Sequence, residues 1–198
     1  MIDQAWTLSP AQAGALKDAP RPDGRPGPIA LRPPRRDDCG PIGLWLGEAG
    51  VARHLTQIPH PYPPGAAETM VERALAGKRK GPLWVMDRGE GPVGLVFVNS
   101  GDGPEARRIG YMVGPPWRNT GCATEGVAAA ADALLDGGVA EVTANVFTDN
   151  ETSARVLTRV GFAYEGDGME WSAGRGAAAP CWRYRLTRER REAAKARA

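Results

Sequence analysis

Cysteine occurs three times and histidine twice in 198 residues, and each scarcity removes a class of site. Cys39, Cys122 and Cys181 are an odd number at wide spacing. They form neither a disulfide framework nor a C-x-x-C metal or redox pair, so three reduced thiols are expected. His54 and His60 lie six residues apart beside prolines, without the spacing that sets two imidazoles on one helical face. No metal site is therefore expected. Long apolar runs are missing too, since no stretch approaches the ~18 uninterrupted apolar residues of a membrane span. The start of the chain lacks a charged segment followed by an apolar run and a small-residue cleavage site. The expectation is a soluble protein that stays in the cytoplasm and makes no contact with membranes.

Charge is nearly balanced, and its distribution says more than its sum. The net charge is +2, but the segment from Arg183 onward holds seven basic residues against Glu189 and Glu192, so it carries +5 and the remainder −3. A weakly acidic body suits a basic acceptor and argues against a broad nucleic-acid face. The basic end reads as a solvated tail, with RNA contact through it as the competing reading. Tryptophans Trp45, Trp84, Trp117, Trp171 and Trp182 are scattered over different elements, which fits packing in or near the core better than a stacking platform.

What is present suffices for one domain, with 42% apolar residues to fill a core. Residues 1–27 read as a Pro/Gly-rich leader, with Ser9 and Pro10 opening a short helix from Ala11 to Lys17. The domain spans residues 28–187 and the basic tail 188–198. A strand at Ile29–Arg32 precedes an apolar stripe (Ile42, Trp45, Leu46, Val51, Leu55), and a proline-rich loop, Ile58–Gly65, leads to a second amphipathic helix through Met70, Val71, Ala74 and Leu75. Strands at Leu83–Asp87, Val93–Asn99 and Arg108–Val113, joined by the turns GEGP and GDGP, predict an antiparallel meander. Helix Gly121–Asp136, strand Glu141–Val146, helix Asn150–Val160 and strands Phe162–Ser172 and Cys181–Leu186 follow. The crossover through the first of these helices is long enough to make strands 108–113 and 141–146 parallel.

The loop Arg118-Asn119-Thr120-Gly121-Cys122-Ala123 opens a helix, and small residues there let an anion approach free backbone N–H groups. Taken alone it is equally an ordinary glycine turn. Further on, Asn150-Glu151-Thr152-Ser153 starts a helix that ends in Gly161-Phe162. The two motifs together resemble the GNAT acetyltransferases, whose cofactor loop reads Gln/Arg-x-x-Gly-x-Gly/Ala and whose next helix carries Asn-x-x-Ala/Ser and ends in Gly-Phe. The wider stretch from Ile109-Gly110-Tyr111 to Ala123-Thr124-Glu125 is similar to the branch that includes the ribosomal-protein N-terminal acetyltransferases (RimJ/RimL). The resemblance covers Ile29 to Thr187.

It implies an α+β domain with a central mixed, mostly antiparallel sheet of six to seven strands, about four flanking helices and a splayed parallel strand pair. It also implies acetyl-CoA as co-substrate, a primary amine (a protein N-terminal α-amine or a small molecule) as acceptor, and a monomer or homodimer. On this resemblance the pyrophosphate would meet Arg118, Asn119, Thr120, Gly121, Cys122 and Ala123. The pantetheine would meet the main chain of Met112 and Val113, with Asn150 and Ser153 facing the cofactor. His60 and Tyr62 are candidates for the acceptor pocket. Many GNAT enzymes place a tyrosine acid seven residues after the motif Asn; Leu157 stands there, which excludes that group. Ser153 remains as a donor to the leaving sulfur or as a small residue making room, and Glu170 as the leading candidate base. A non-catalytic acyl-CoA-binding module of the same fold is the alternative.

Overall fold

The computed structural model describes residues 27–197. The leader up to residue 26, with its expected helix at Ala11–Lys17, lies outside the described residues. Among the described residues seven strands form one sheet: β1 (Ala30–Arg32), β2 (Leu83–Asp87), β3 (Pro92–Ser100), β4 (Ala106–Val113), β5 (Glu141–Phe147), β6 (Ala163–Ser172) and β7 (Ala177–Thr187). Their order is β1-β2-β3-β4-β5-β7-β6. Every neighbouring pair is antiparallel except β4 and β5. This is the mixed sheet the sequence implied. The meander follows from turns too short for a crossover, and the single parallel pair from the helix between its strands.

Both faces of the sheet are covered, and the strand alternation divides the core in two. Trp84, Met86, Val96, Val98 and Ile109 face helices α4 (Cys122–Asp136) and α5 (Glu151–Val160), where Val127, Leu134 and Leu157 are fully buried. On the other face Leu83, Val85, Leu95, Phe97 and Met112 meet helices α1 (Cys39–Leu46), α2 (Ala49–Ala52) and α3 (Ala66–Leu75) through Ile42, Leu46 and Val71. Gly126 lets α4 settle onto the sheet, because a Cβ there would stand 2.5 Å from the buried Met86 sulfur.

Two expectations change. The basic end forms a sixth helix among the described residues, α6 (Arg188–Lys195). It is docked rather than free in solvent: Arg191 pairs with Asp132 at 2.8 Å and donates to the Val160 carbonyl, and Arg188 meets Asp136 and the Leu135 carbonyl. Asp132 and Asp136 on α4 pair with Arg188, Arg191 and Lys195 of the run that read as a tail. Trp171 is 56% exposed rather than packed in or near the core, because it lies on edge strand β6.

Beside β1, Arg32 is buried between two acids, donating to Asp87 Oδ2 at 2.6 Å and to Asp38 at 2.7 and 2.8 Å. Burial alone would raise the Asp38 pKa, yet the Arg32 hydrogen bonds and charge hold it below the usual carboxylate value. Removing the cation strands two buried carboxylates, so Arg32→Met should destabilise the fold by about 3–5 kcal/mol in chemical denaturation. Because the Asp38 pKa is depressed on folding, its contribution is full above the unfolded value near 3.9 and is lost as pH falls through the folded value. The acid limb of a stability profile should therefore flatten in Asp38→Asn relative to the parent.

Candidate active site

The sheet opens in its middle. Pairing between β4 and β5 is limited to Ala106 with Glu141, Arg107 with Val142 and Arg108 with Thr143. Beyond these, β4 stays on β3 up to Val113 and β5 stays on β7 up to Phe147, so the parallel pair parts into a V. Main-chain direction alternates along a strand. Gly114 N–H donates to Val93 O at 2.9 Å, which turns the Met112 main chain toward β3 in the same register. Tyr111 and Val113 are left with their N–H and C=O groups facing the gap. Of the two residues expected to offer main-chain groups there, Val113 faces the gap and Met112 is engaged with β3, its side chain in the core.

At the open end of the V lies the loop Arg118–Ala123. Asn119 has φ 63° and Gly121 φ 87°, left-handed conformations that asparagine tolerates and glycine adopts without strain. The two consecutive turns aim the start of α4 at the gap. The N–H groups of Cys122, Ala123 and Thr124 meet no acceptor among the described residues. With the helix dipole they form a site of positive potential suited to phosphate. The side chains do other things: Arg118 reaches Glu48 at 3.1 Å, Thr120 Oγ1 donates to the Trp117 carbonyl at 2.7 Å, and Cys122 is buried. Glu125 in the first turn accepts from the Ile29 N–H and pairs with Arg88, a structural role.

Across the V, Asn150 caps α5, its side chain accepting from the Ser153 N–H at 3.3 Å. Ser153 Oγ stands 2.7 Å from the Tyr111 hydroxyl, which also donates to the Ser153 carbonyl at 3.0 Å. Burial drives the Tyr111 pKa upward, against the Ser153 hydrogen bond, so the phenol stays protonated. Leu157 is fully buried in the core. The phenol beside the first turn of α5 is that of Tyr111 on β4. In the sequence Tyr111 carried only family likeness; the period of two that sends it to the same face as Ile109 was the available signal.

On the opposite face of the sheet a cavity of about 300 Å³ opens beside the gap. Glu170 on β6 lines it, and its Oε2 accepts from Asn145 Nδ2 at 2.6 Å and from Arg108 at 3.5 Å. Tyr62 lines the cavity, whereas His60 is exposed and stands outside the wall; His54 lines it instead. The proline-rich loop turns His60 outward. His54 Nε2 faces Asp149 Oδ1 at 3.4 Å. Burial lowers the His54 pKa against the pull of Asp149, so the ring is neutral at pH 7. Asp149 also binds Arg53 and Arg175 at 2.7 and 2.8 Å. Together with Ala173 N–H donating to Thr56 O and Ser172 Oγ to the carbonyls of Arg53 and Leu55, the cluster ties the cavity wall to the start of α5.

The sequence matches the model of the acetyltransferase (GNAT) domain over residues 29–163. No curated protein is similar enough in sequence to be matched to it. Among solved structures the chain is similar to Mycobacterium smegmatis RimJ in complex with CoA-disulfide, at 22% identity and TM-score 0.69 over 82% of this chain and 83% of that one. It is also similar to Vibrio cholerae spermidine N-acetyltransferase with CoA and spermine, at 15% identity and TM-score 0.71 over 83% and 98%. A third likeness is to the microcin C7 self-immunity acetyltransferase with acetyl-CoA and AMP, at 17% identity and TM-score 0.70 over 81% and 92%. Identities this low carry the fold and leave the acceptor open.

Solvent-exposed ion pairs contribute little to global stability, typically about 0–1 kcal/mol. Asp149→Ala should therefore leave the unfolding midpoint nearly unchanged while hydrogen exchange at the Ala173 amide speeds up, because the segment it grips is released locally. Unchanged exchange would mean that the backbone bonds hold the wall without the charges.

Proposed function

The chain belongs to the GNAT acetyltransferase family, and on that premise we propose that it transfers an acetyl group from acetyl-CoA to a primary amine by direct attack in a ternary complex. The observation that carries the proposal is the parting of β4 and β5 directly beneath the unpaired N–H groups of α4. A pyrophosphate fits the loop because Gly121 leaves the approach open, the nearest atom to an added Cβ being Glu125 Oε1 at 3.7 Å. The residues that would hold acetyl-CoA are Val113 through its main chain, the loop Arg118 to Ala123, and Asn150 with Ser153.

Acetyl-CoA supplies the acyl carbon as an activated thioester. The Val113 N–H faces the gap and is positioned to stabilise negative charge gathering on the acyl oxygen. Glu170 Oε1 accepts no hydrogen bond among the described residues, so it or an ordered water can take the proton released by the amine. An unperturbed α-amine has a pKa of about 8 and deprotonates at modest cost. Ser153 is read as the hydroxyl that donates to the departing sulfur; the Tyr111 phenol 2.7 Å behind it would pass its proton to Ser153 as solvent returns one to the phenol, so that the pair ends as it began.

Thiol release from acetyl-CoA in the presence of amines tests the activity; release with only hydroxyl or thiol acceptors would overturn it. Gly121→Glu should abolish acetyl-CoA binding in calorimetry, since a carboxylate would occupy the anion site. The left-handed φ adds about 1–3 kcal/mol of strain, so a melting curve must accompany the measurement.

General acid catalysis contributes typically ~10²- to 10⁴-fold. Ser153→Ala should therefore lower kcat by about 100-fold with little change in acetyl-CoA affinity. Tyr111→Phe should give a smaller loss of the same kind, because solvent can refill Ser153 more slowly. Near-normal kcat in Ser153→Ala would reduce that residue to packing.

A further inference from the structure

The cavity holds a cation that nothing in the fold uses. Arg79, in the turn between α3 and β2, lines the cavity and makes no hydrogen bond or ion pair among the described residues. Its Nε is fully shielded from solvent and has no acceptor. Burial, with Arg73 adding repulsion, pushes its pKa below the ordinary guanidinium value. Leaving a buried donor unmatched costs free energy, and a guanidinium remains charged in all but extreme surroundings.

The other charged groups of the wall offer it no relief. Glu170 is engaged by Arg108 and Asn145, Arg108 also pairs with Asp102, and His54 is neutral and faces Asp149. The lining therefore carries a surplus positive charge, although the body of the chain is acidic. Position adds direction. Glu170 and Asn145 mark the side of the cavity at the β4–β5 gap. Arg79 precedes β2 and stands beyond Asn99 of β3, on the far side of β4.

We propose that the acceptor is a small primary amine bearing a carboxylate or phosphate at the end remote from its nitrogen. The amine lies toward the gap beside Glu170 and the anion is bound by the unpaired guanidinium of Arg79. This rests on the acetyltransferase reading and specifies its acceptor. A polyamine would place a second ammonium against Arg79, so it is disfavoured by the same contact.

Matched amines that differ only at the far end test it: ε-aminocaproate, hexylamine and hexamethylenediamine, with γ-aminobutyrate, butylamine and putrescine as the shorter set. The wild-type chain should show the highest kcat/KM for the carboxylate of one set, with the diamine the poorest. Arg79→Gln should lower kcat/KM for that carboxylate by at least ~10-fold, the weight of one charge-assisted contact. It should leave the alkylamine unchanged, which also shows that the variant is folded. A preference for the alkylamine or the diamine in both sets, or a carboxylate preference that survives Arg79→Gln, overturns the proposal while leaving the acetyltransferase reading in place. Calorimetry with the products ε-acetamidocaproate and γ-acetamidobutyrate gives a readout independent of turnover. At least one should bind to wild type and be lost in Arg79→Gln; no binding of either to wild type also overturns the proposal. Absence of thiol release with every amine, while a product still binds through Arg79, would instead count against the acetyltransferase reading alone.

Discussion

The hydrogen bonds that β4 and β5 fail to make organise this molecule. Their parallel ladder stops after Arg108 and Thr143 while each strand keeps its other neighbour for four or five residues more. Unpaired backbone in a sheet interior is costly unless something else satisfies it. Here the consequence is a slot lined by strand edges, open at the end where α4 starts with its own free N–H groups. The features proposed for function are arranged about that slot: the loop Arg118–Ala123 at its mouth, Asn150 and Ser153 on its far bank, and the cavity proposed for the acceptor on the opposite face of the sheet. Two separate hydrophobic cores, one on each face, hold the two sides in place.

The hydroxyl pair of Tyr111 and Ser153 joins two elements distant in the chain. The α5 position at which a tyrosine acid is usual holds Leu157, which is buried in the core. A phenol nevertheless arrives at the first turn of α5 from β4, and it is held protonated by burial. A hydroxyl on a helix backed by a phenol on a strand is the donor chain proposed above, and the Asn150 cap and the Ser153 carbonyl hold it in place. Such an arrangement orients both groups before substrate arrives, which is the condition for a hydrogen bond to act on the reacting atoms.

Local and global charge point in different directions. The acidic body of the chain favours a basic acceptor at long range, yet the cavity wall contains an excess cation. Screening over about 8–10 Å in salt reduces the global field to a steering effect. At contact distance a near charge outweighs distant ones, so for the proposed acceptor Arg79 weighs more than the sum over the chain. The basic C-terminal run shows the same rule: its Arg188 and Arg191 are committed to Asp136, Asp132 and helix-end carbonyls.

Sequence alone determined the order of the strands, the antiparallel meander and the parallel crossover, and it singled out the loop Arg118–Ala123 that opens α4. Each is written in local terms: turn length, glycine placement, helical period and two motifs at a fixed separation. It also excluded a tyrosine at position 157, since that requires only reading one letter. Only the tertiary structure decided that Tyr111 meets Ser153, 42 residues away, that Arg79 lines the cavity with no partner among the described residues, and that His54 rather than His60 lines it. It also turned the basic tail into a docked helix. Periodicity fixes which face of an element a side chain occupies, but what stands opposite depends on packing of elements distant in the chain. A partner across space, or the lack of one, leaves no periodic trace in the sequence.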